Sequence, residues 1–259
     1  MLRFPLRLTA ELVKAWLAQR SRPASGASRL QFVDAAELLH HDSDQPVSHE
    51  KIRELASSHS PVFWIGGSEP LHHPGVAHLV RAITGSGHFV FLETDGTMLR
   101  RRIHEFQSVP RLFLTVRVEP GARLQTSKSL QPTASELAVE GMRAAQLSGF
   151  LICVYARVQQ ETELREMAEL IRFSRSLDVD GIVVSPGRGE SNSANAGEAA
   201  LQLKTAEARR LIGSGWWEFF SRMVEAALSG QRNVEQSVAA SGHRVEQEAS
   251  ANEEGVKVA

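Results

Sequence analysis

The sequence predicts an α/β fold in which parallel strands alternate with crossover helices, with one further helix before this unit and one after it. Two observations predict it. Apolar runs near 29–33, 61–65, 88–93, 111–116, 150–157 and 180–185 alternate with helix-period segments near 48–58, 75–86, 97–106, 134–148, 160–176 and 199–212, the pattern of repeated strand–helix units. Runs such as Val62-Phe-Trp-Ile65, Phe89-Val-Phe-Leu92 and Gly181-Ile-Val-Val184 are almost continuously apolar, as strands covered on both faces must be. At 259 residues and 42% hydrophobic content, the chain can bury one sizeable core. Periodicity leaves two architectures open: an open (β/α)6 partial TIM barrel, or a doubly wound open sheet.

The elements can be justified in order. Residues 9–20 read as a helix capped by Thr9, with Leu8, Leu12, Val13, Trp16 and Leu17 at helical spacing among Arg3, Arg7, Lys14, Arg20 and Arg22. This basic amphipathic pattern suits a helix packed on the barrel, the alternative being a peripheral membrane contact. The breaker-rich Arg22-Pro-Ala-Ser-Gly-Ala-Ser28 links it to the main domain, giving expected divisions at 1–28, 29–230 and 231–259. Ser48 is a good N-cap with Glu50 in the first turn, Pro74 suits a first helical position, and Thr133 with Glu136 has capping-box spacing. A last helix over 216–228 puts Trp216, Phe219, Phe220 and Met223 on one face and is expected to close the core. From Ser229 onward there are no aromatic residues, and disorder is expected there.

Composition excludes several classes. A formal net charge of -1 provides no bulk field for nucleic acid or an acidic membrane. The single cysteine, Cys153, excludes an internal disulfide framework and any multi-cysteine metal site supplied by one chain. No run approaches a membrane span, and no secretory h-region stands near Met1; the expected location is cytoplasmic. There is no P-loop, no dinucleotide fingerprint and no nucleophile with an evident base.

The most informative run is Pro61-Val-Phe-Trp-Ile-Gly-Gly-Ser-Glu-Pro-Leu-His-His-Pro74, a strand breaking into a glycine-rich acidic turn. It resembles the second strand and Gly-Gly-Glu-Pro turn of radical S-adenosylmethionine (SAM) enzymes, with Gly66, Gly67, Ser68, Glu69 and Pro70 on the motif. Gly87-His-Phe-Val-Phe-Leu-Glu-Thr-Asp-Gly-Thr97 resembles the third strand of that superfamily and its Thr-Asn-Gly-Thr end, with Asp95 in place of asparagine. Asp178-Val-Asp-Gly-Ile-Val-Val-Ser-Pro-Gly187 is similar to the sixth strand of the branch containing hopanoid-biosynthesis adenosyl transferases. The resemblance covers roughly residues 27–212 and implies the partial barrel. It also implies SAM as ligand and a [4Fe-4S] cluster on a Cys-x3-Cys-x2-Cys loop after the first strand. The segment at that place, Arg29-Leu-Gln-Phe-Val-Asp-Ala-Ala-Glu-Leu-Leu-His-His-Asp-Ser-Asp-Gln-Pro46, has no cysteine, so a cluster is not expected from this chain alone.

Ligands of parallel α/β folds sit at the carboxyl ends of the strands. Gly66 and Gly67 let backbone approach a ligand, and Glu69 is suited to an ammonium group. Thr94 and Asp95 end the third strand, Arg117 and Glu119 the fourth, and Ser185 with Arg188 the sixth. By the resemblance these would surround SAM. As turn formers, the glycines would instead leave the pocket vestigial. A mononuclear metal set of Asp34, Glu37, His40, His41 and Asp42 is weighed and set aside, because adjacent histidines do not readily face one ion. The same objection meets His72 and His73. Cys153, in mid-strand, reads as a small buried hydrophobe, and Arg100, Arg101 and Arg102 as a solvated helix face.

The expected function is a non-catalytic binding or regulatory subunit that retains SAM or nucleotide binding, beside an active radical SAM relative or another protein. The alternatives are an active SAM-dependent enzyme whose cluster is ligated unconventionally or with a partner chain, and a purely structural scaffold.

Overall fold

The computed structural model describes residues 4–21, 30–38, 47–122, 132–187, 196–213 and 215–228. The tail expected to be disordered, Arg188, and the side chains of Glu37, His40, His41 and Asp42 lie outside the described residues. Six strands follow one another: β1 (Leu30–Asp34), β2 (Val62–Gly66), β3 (Phe89–Thr94), β4 (Leu112–Arg117), β5 (Leu151–Val158) and β6 (Gly181–Pro186). They pair in parallel, in the order β1-β2-β3-β4-β5-β6. Sequential order removes the doubly wound alternative, which requires the strand order to reverse at a switch point. The sheet curls into a half-barrel, the partial TIM barrel that the resemblance implies.

The helices are α1 (Leu6–Ser21), α2 (Ala35–Leu38), α3 (His49–Ala56), α4 (Val76–Gly85), α5 (Leu99–Arg102), α6 (Ala134–Leu147), α7 (Leu164–Ser176), α8 (Ala196–Arg210) and α9 over 216–228. Period-2 alternation along each strand divides the buried side chains into two cores. The convex face, with Phe63, Ile65, Leu92, Leu114, Val154 and Val184, packs against crossover helices through Leu79, Ile83, Met142 and Met167. The concave face, with Trp64, Phe91, Phe113, Cys153 and Val183, is covered by Leu8 and Leu12 of α1 and by Phe220, Met223 and Val224 of α9. The stripe expected to close the core does so: Phe220 and Met223 are buried, and Trp216 and Phe219 pack against the same cluster.

Several boundaries differ from the sequence reading. The first helix begins at Leu6 rather than near Thr9, because the Pro5 carbonyl already accepts from the amides of Leu8 and Thr9 (3.0 and 3.3 Å); a proline of fixed φ starts the helix a turn early. Pro74 lies in a turn before α4, which begins behind Gly75. It is Pro70 that takes a first helical position, in the 3-10 turn Pro70–His72. The helix expected over 97–106 is split into α5 and a 3-10 turn, Ile103–Glu105. The one expected over 160–176 starts at Leu164, where Glu163 and Glu166 form a capping box. Ser48 and the Thr133/Glu136 box cap α3 and α6 as the sequence indicates.

Candidate functional site at the mouth of the half-barrel

The centre of the site is a carboxylate that sequence reasoning passed over. Glu93 on β3 faces the lumen, is 2% exposed, and accepts three charged or polar donors. Trp64 Nε1 donates to its Oε2 at 2.8 Å, while Arg117 and Arg157 donate to its Oε1 at 2.9 and 2.8 Å. Parity places these side chains on one face: Glu93 stands two residues beyond Phe91 on β3, Arg117 four beyond Phe113 on β4, and Arg157 two beyond Tyr155 on β5. A buried carboxylate needs such partners, since ionised burial without them costs several kcal/mol. One charged position inside each of the runs Phe-Val-Phe-Leu-Glu, Leu-Phe-Leu-Thr-Val-Arg and Cys-Val-Tyr-Ala-Arg was the available signal.

Of the residues that the sequence reading named, Gly66 and Arg117 adjoin this carboxylate. Gly66 is buried, and a Cβ there would lie 2.6 Å from Glu93 Oε2, which leaves room for glycine alone. Gly67 has φ +82°, and a Cβ on it would lie 2.4 Å from Asp34 Oδ1 at the end of β1, so glycine is required by conformation and by space. Both glycines therefore have work within the protein, while Gly67 and Ser68 remain exposed at the rim.

Glu69 is held by donors from the protein itself. Its carboxylate accepts from Thr94 Oγ1 and the Asp95 amide, both at 2.6 Å, and from the Leu71 amide at 3.1 Å. Burial raises its pKa above the ordinary value, against the opposing hydrogen bonds from Thr94 and Asp95. Glu69 thus ties the turn after β2 to the turn after β3. Asp95 also accepts from the Thr97 amide and hydroxyl at 2.8 and 2.7 Å. Ser185 is wholly buried and donates to the Tyr155 hydroxyl at 2.8 Å. Arg157 lies 5.4 Å from the centroid of the Tyr155 ring. The rim thus runs from Glu69, Thr94 and Asp95 through Gly66, Glu93 and Arg117 to Arg157, Tyr155 and Ser185.

The triarginine segment is only partly the solvated face that its sequence suggests. Arg100 and Arg101 are exposed, Arg100 bridging to Glu140 at 2.6 Å. Arg102 turns inward, pairs with Glu105, and donates to the carbonyls of Leu71 and His73, holding the segment after the Gly-Gly-Ser-Glu-Pro turn. His73 is 2% exposed while His72 is exposed, so the two do not act as one pair.

Cys153 is fully buried in the concave core, and burial first, then Asp180, pushes its thiol well above the ordinary value. An iron–sulfur cluster takes thiolates, and this thiol has neither the exposure nor the electropositive setting that makes one. The donor set for a three-cysteine cluster does not fit this chain. Among the described residues no group of three or more His, Cys, Asp or Glu is placed to hold a metal ion.

No protein-family model matches the chain. Over 150 residues, 54% of this chain, it is 27% identical to the AdoMet-dependent heme synthase of Methanosarcina barkeri, and the match covers 42% of that protein. The crystal structure of Streptococcus suis SuiB aligns with 83% of this chain and 56% of its own at 11% identity, with a TM-score of 0.47. The motifs in their order, the half-barrel they imply and the curated relative together support the radical SAM superfamily as the one to which this chain is related.

Proposed function

We propose that this chain is a radical-SAM-like protein without cluster chemistry of its own, which binds SAM or a related nucleoside at the mouth of the half-barrel as a regulatory or binding subunit. The observation that carries the proposal is the contrast between the thiol and the charges. The one cysteine is sealed in the core, whereas the lumen mouth retains Glu93 with two arginines that are still 22% and 30% exposed. Guanidiniums fixed on a buried carboxylate are pre-organised to meet the carboxylate of an amino-acid moiety. Gly67 and Ser68 offer exposed backbone beside them. The cytoplasm is the proposed location.

A second reading, an active AdoMet-dependent enzyme completed by a partner chain, is favoured by the likeness to the heme synthase. One experiment separates the two. The full chain is reconstituted anaerobically with iron and sulfide, then examined by iron analysis, visible spectroscopy and calorimetric titration with SAM. The proposal expects no bound iron and saturable SAM binding, weakened at least tenfold in Arg117→Gln or Arg157→Gln proteins of unchanged circular dichroism. About four irons per chain with broad visible absorption would overturn it. So would the absence of SAM and nucleoside binding.

A further inference from the structure

At the opposite end of the half-barrel, away from the mouth, a cavity of about 440 Å3 opens beneath the first residues of β3 and β4. Its size falls in the range of small-molecule sites. The walls are apolar, built by Phe89, Val109, Pro110 and Pro5, and three arginines stand around it: Arg7 from α1, Arg81 from α4 and Arg111 just before β4. No carboxylate lines it. Among the described residues none of the three arginines is in an ion pair, and the contact of Arg81 with a protein acceptor is a long one, 3.4 Å to the Glu105 carbonyl. Two uncharged polar side chains, Gln107 and Thr84, also line the wall, and the Thr84 hydroxyl is engaged with the carbonyls of Val80 and Arg81 at 2.8 and 3.2 Å.

Three elements distant in sequence each contribute a guanidinium to one apolar hollow, Arg111 half-buried and Arg7 and Arg81 exposed, whereas the other half-buried arginines among the described residues, Arg102, Arg117, Arg157 and Arg209, are each paired with a carboxylate. Uncompensated positive charge around an apolar wall is complementary to a molecule with an anionic head and an apolar body. A phosphate, with several oxygens and close to two negative charges, suits three fork-shaped donors better than a singly charged head does. We infer that this cavity binds an amphiphile with a phosphate headgroup, either a soluble phosphate monoester or the headgroup of a lipid. The site is independent of the mouth and of the proposed SAM binding there.

The test is calorimetric titration of the full chain with octyl phosphate, below its micellar range, alongside octanol and inorganic phosphate. One-to-one binding is expected, with each control at least tenfold weaker because it satisfies only the charged or only the apolar half of the site. Arg81→Gln and Arg111→Gln should each weaken octyl phosphate about tenfold, the cost of one charge-assisted contact, with circular dichroism and SAM binding unchanged. Co-sedimentation with phosphatidylcholine vesicles containing phosphatidic acid, weakened by the same variants, would support the site with a membrane lipid as the source. Vesicle binding without octyl phosphate binding would overturn the inference in favour of a basic surface patch. Binding of inorganic phosphate as tight as octyl phosphate, or affinity indifferent to both substitutions, would also overturn it.

Discussion

Along the same strands the floor of the lumen is packed with rings and its mouth is wired with charges. On the floor, Phe113 stacks between Phe4 and Phe91 at 5.3 and 4.8 Å, Trp64 stacks on Phe91 at 5.5 Å, and Phe220 closes over Phe4 at 4.6 Å. At the mouth, two to four residues further along the strands, Glu93, Arg117 and Arg157 replace the rings. The floor owes its stability to apolar area removed from water and to dense contact. The mouth has a fixed electrostatic pattern that contributes less to stability and more to what can be recognised. Trp64 belongs to both, its ring on the floor and its Nε1 on Glu93.

Breaking the floor should have the largest effect. Phe220→Ala leaves a cavity among rings and is expected to cost about 3–5 kcal/mol, measured by urea denaturation, with SAM binding retained by the molecules that remain folded. Glu93→Ala comes next. It leaves the Trp64 donor and two guanidiniums unmatched, but those cations reach solvent, so about 2–3 kcal/mol is expected rather than the full penalty of a sealed pair; SAM binding should be lost with it. If Glu93→Ala proved as costly as Phe220→Ala while leaving SAM affinity intact, the division between floor and mouth would fail.

Gly67→Ala sharpens the comparison. The positive φ costs roughly 1–2 kcal/mol, and the new Cβ displaces Asp34 from the rim, so SAM affinity should fall more than thermal stability does. The smallest effect concerns pH. The raised pKa of Glu69 means the folded state holds its proton to higher pH than the unfolded state. Its contribution to stability is therefore fully present below the ordinary value of 4.5 and is lost as pH rises through the folded pKa. Glu69→Gln should remove that downward slope from a stability–pH profile, whereas a profile unchanged by the substitution would contradict the assignment.

Most of the fold was legible because each strand is short, apolar and bounded by a helix with a recognisable start. Ser48 and Thr133 act locally, and local chemistry can be read from adjacent residues. Glu93 could not be placed that way. Its meaning depends on Arg117 and Arg157, which are 24 and 64 positions away, and on strand parity carried through two crossovers. Glu69 was legible as a turn carboxylate, but its partners Thr94 and Asp95, which arrive from the next strand, were not. Arg102 was misplaced for a similar reason: neighbouring arginines look alike in sequence, and only the return of the His73 segment separates their faces.

The covering of the concave face has a consequence for synthesis. Leu8 and Leu12 of α1 are made before the strands whose inner faces they cover, but Phe220, Met223 and Val224 emerge only after all six described strands have been made. Until then the nascent half-barrel exposes an apolar trough between paired edges, the kind of surface that draws chaperones and neighbouring chains. Among the described residues α9 is the part of this cover that is made last, and removing residues 216–228 is expected to leave the trough open, measured as stronger binding of an apolar dye and faster aggregation.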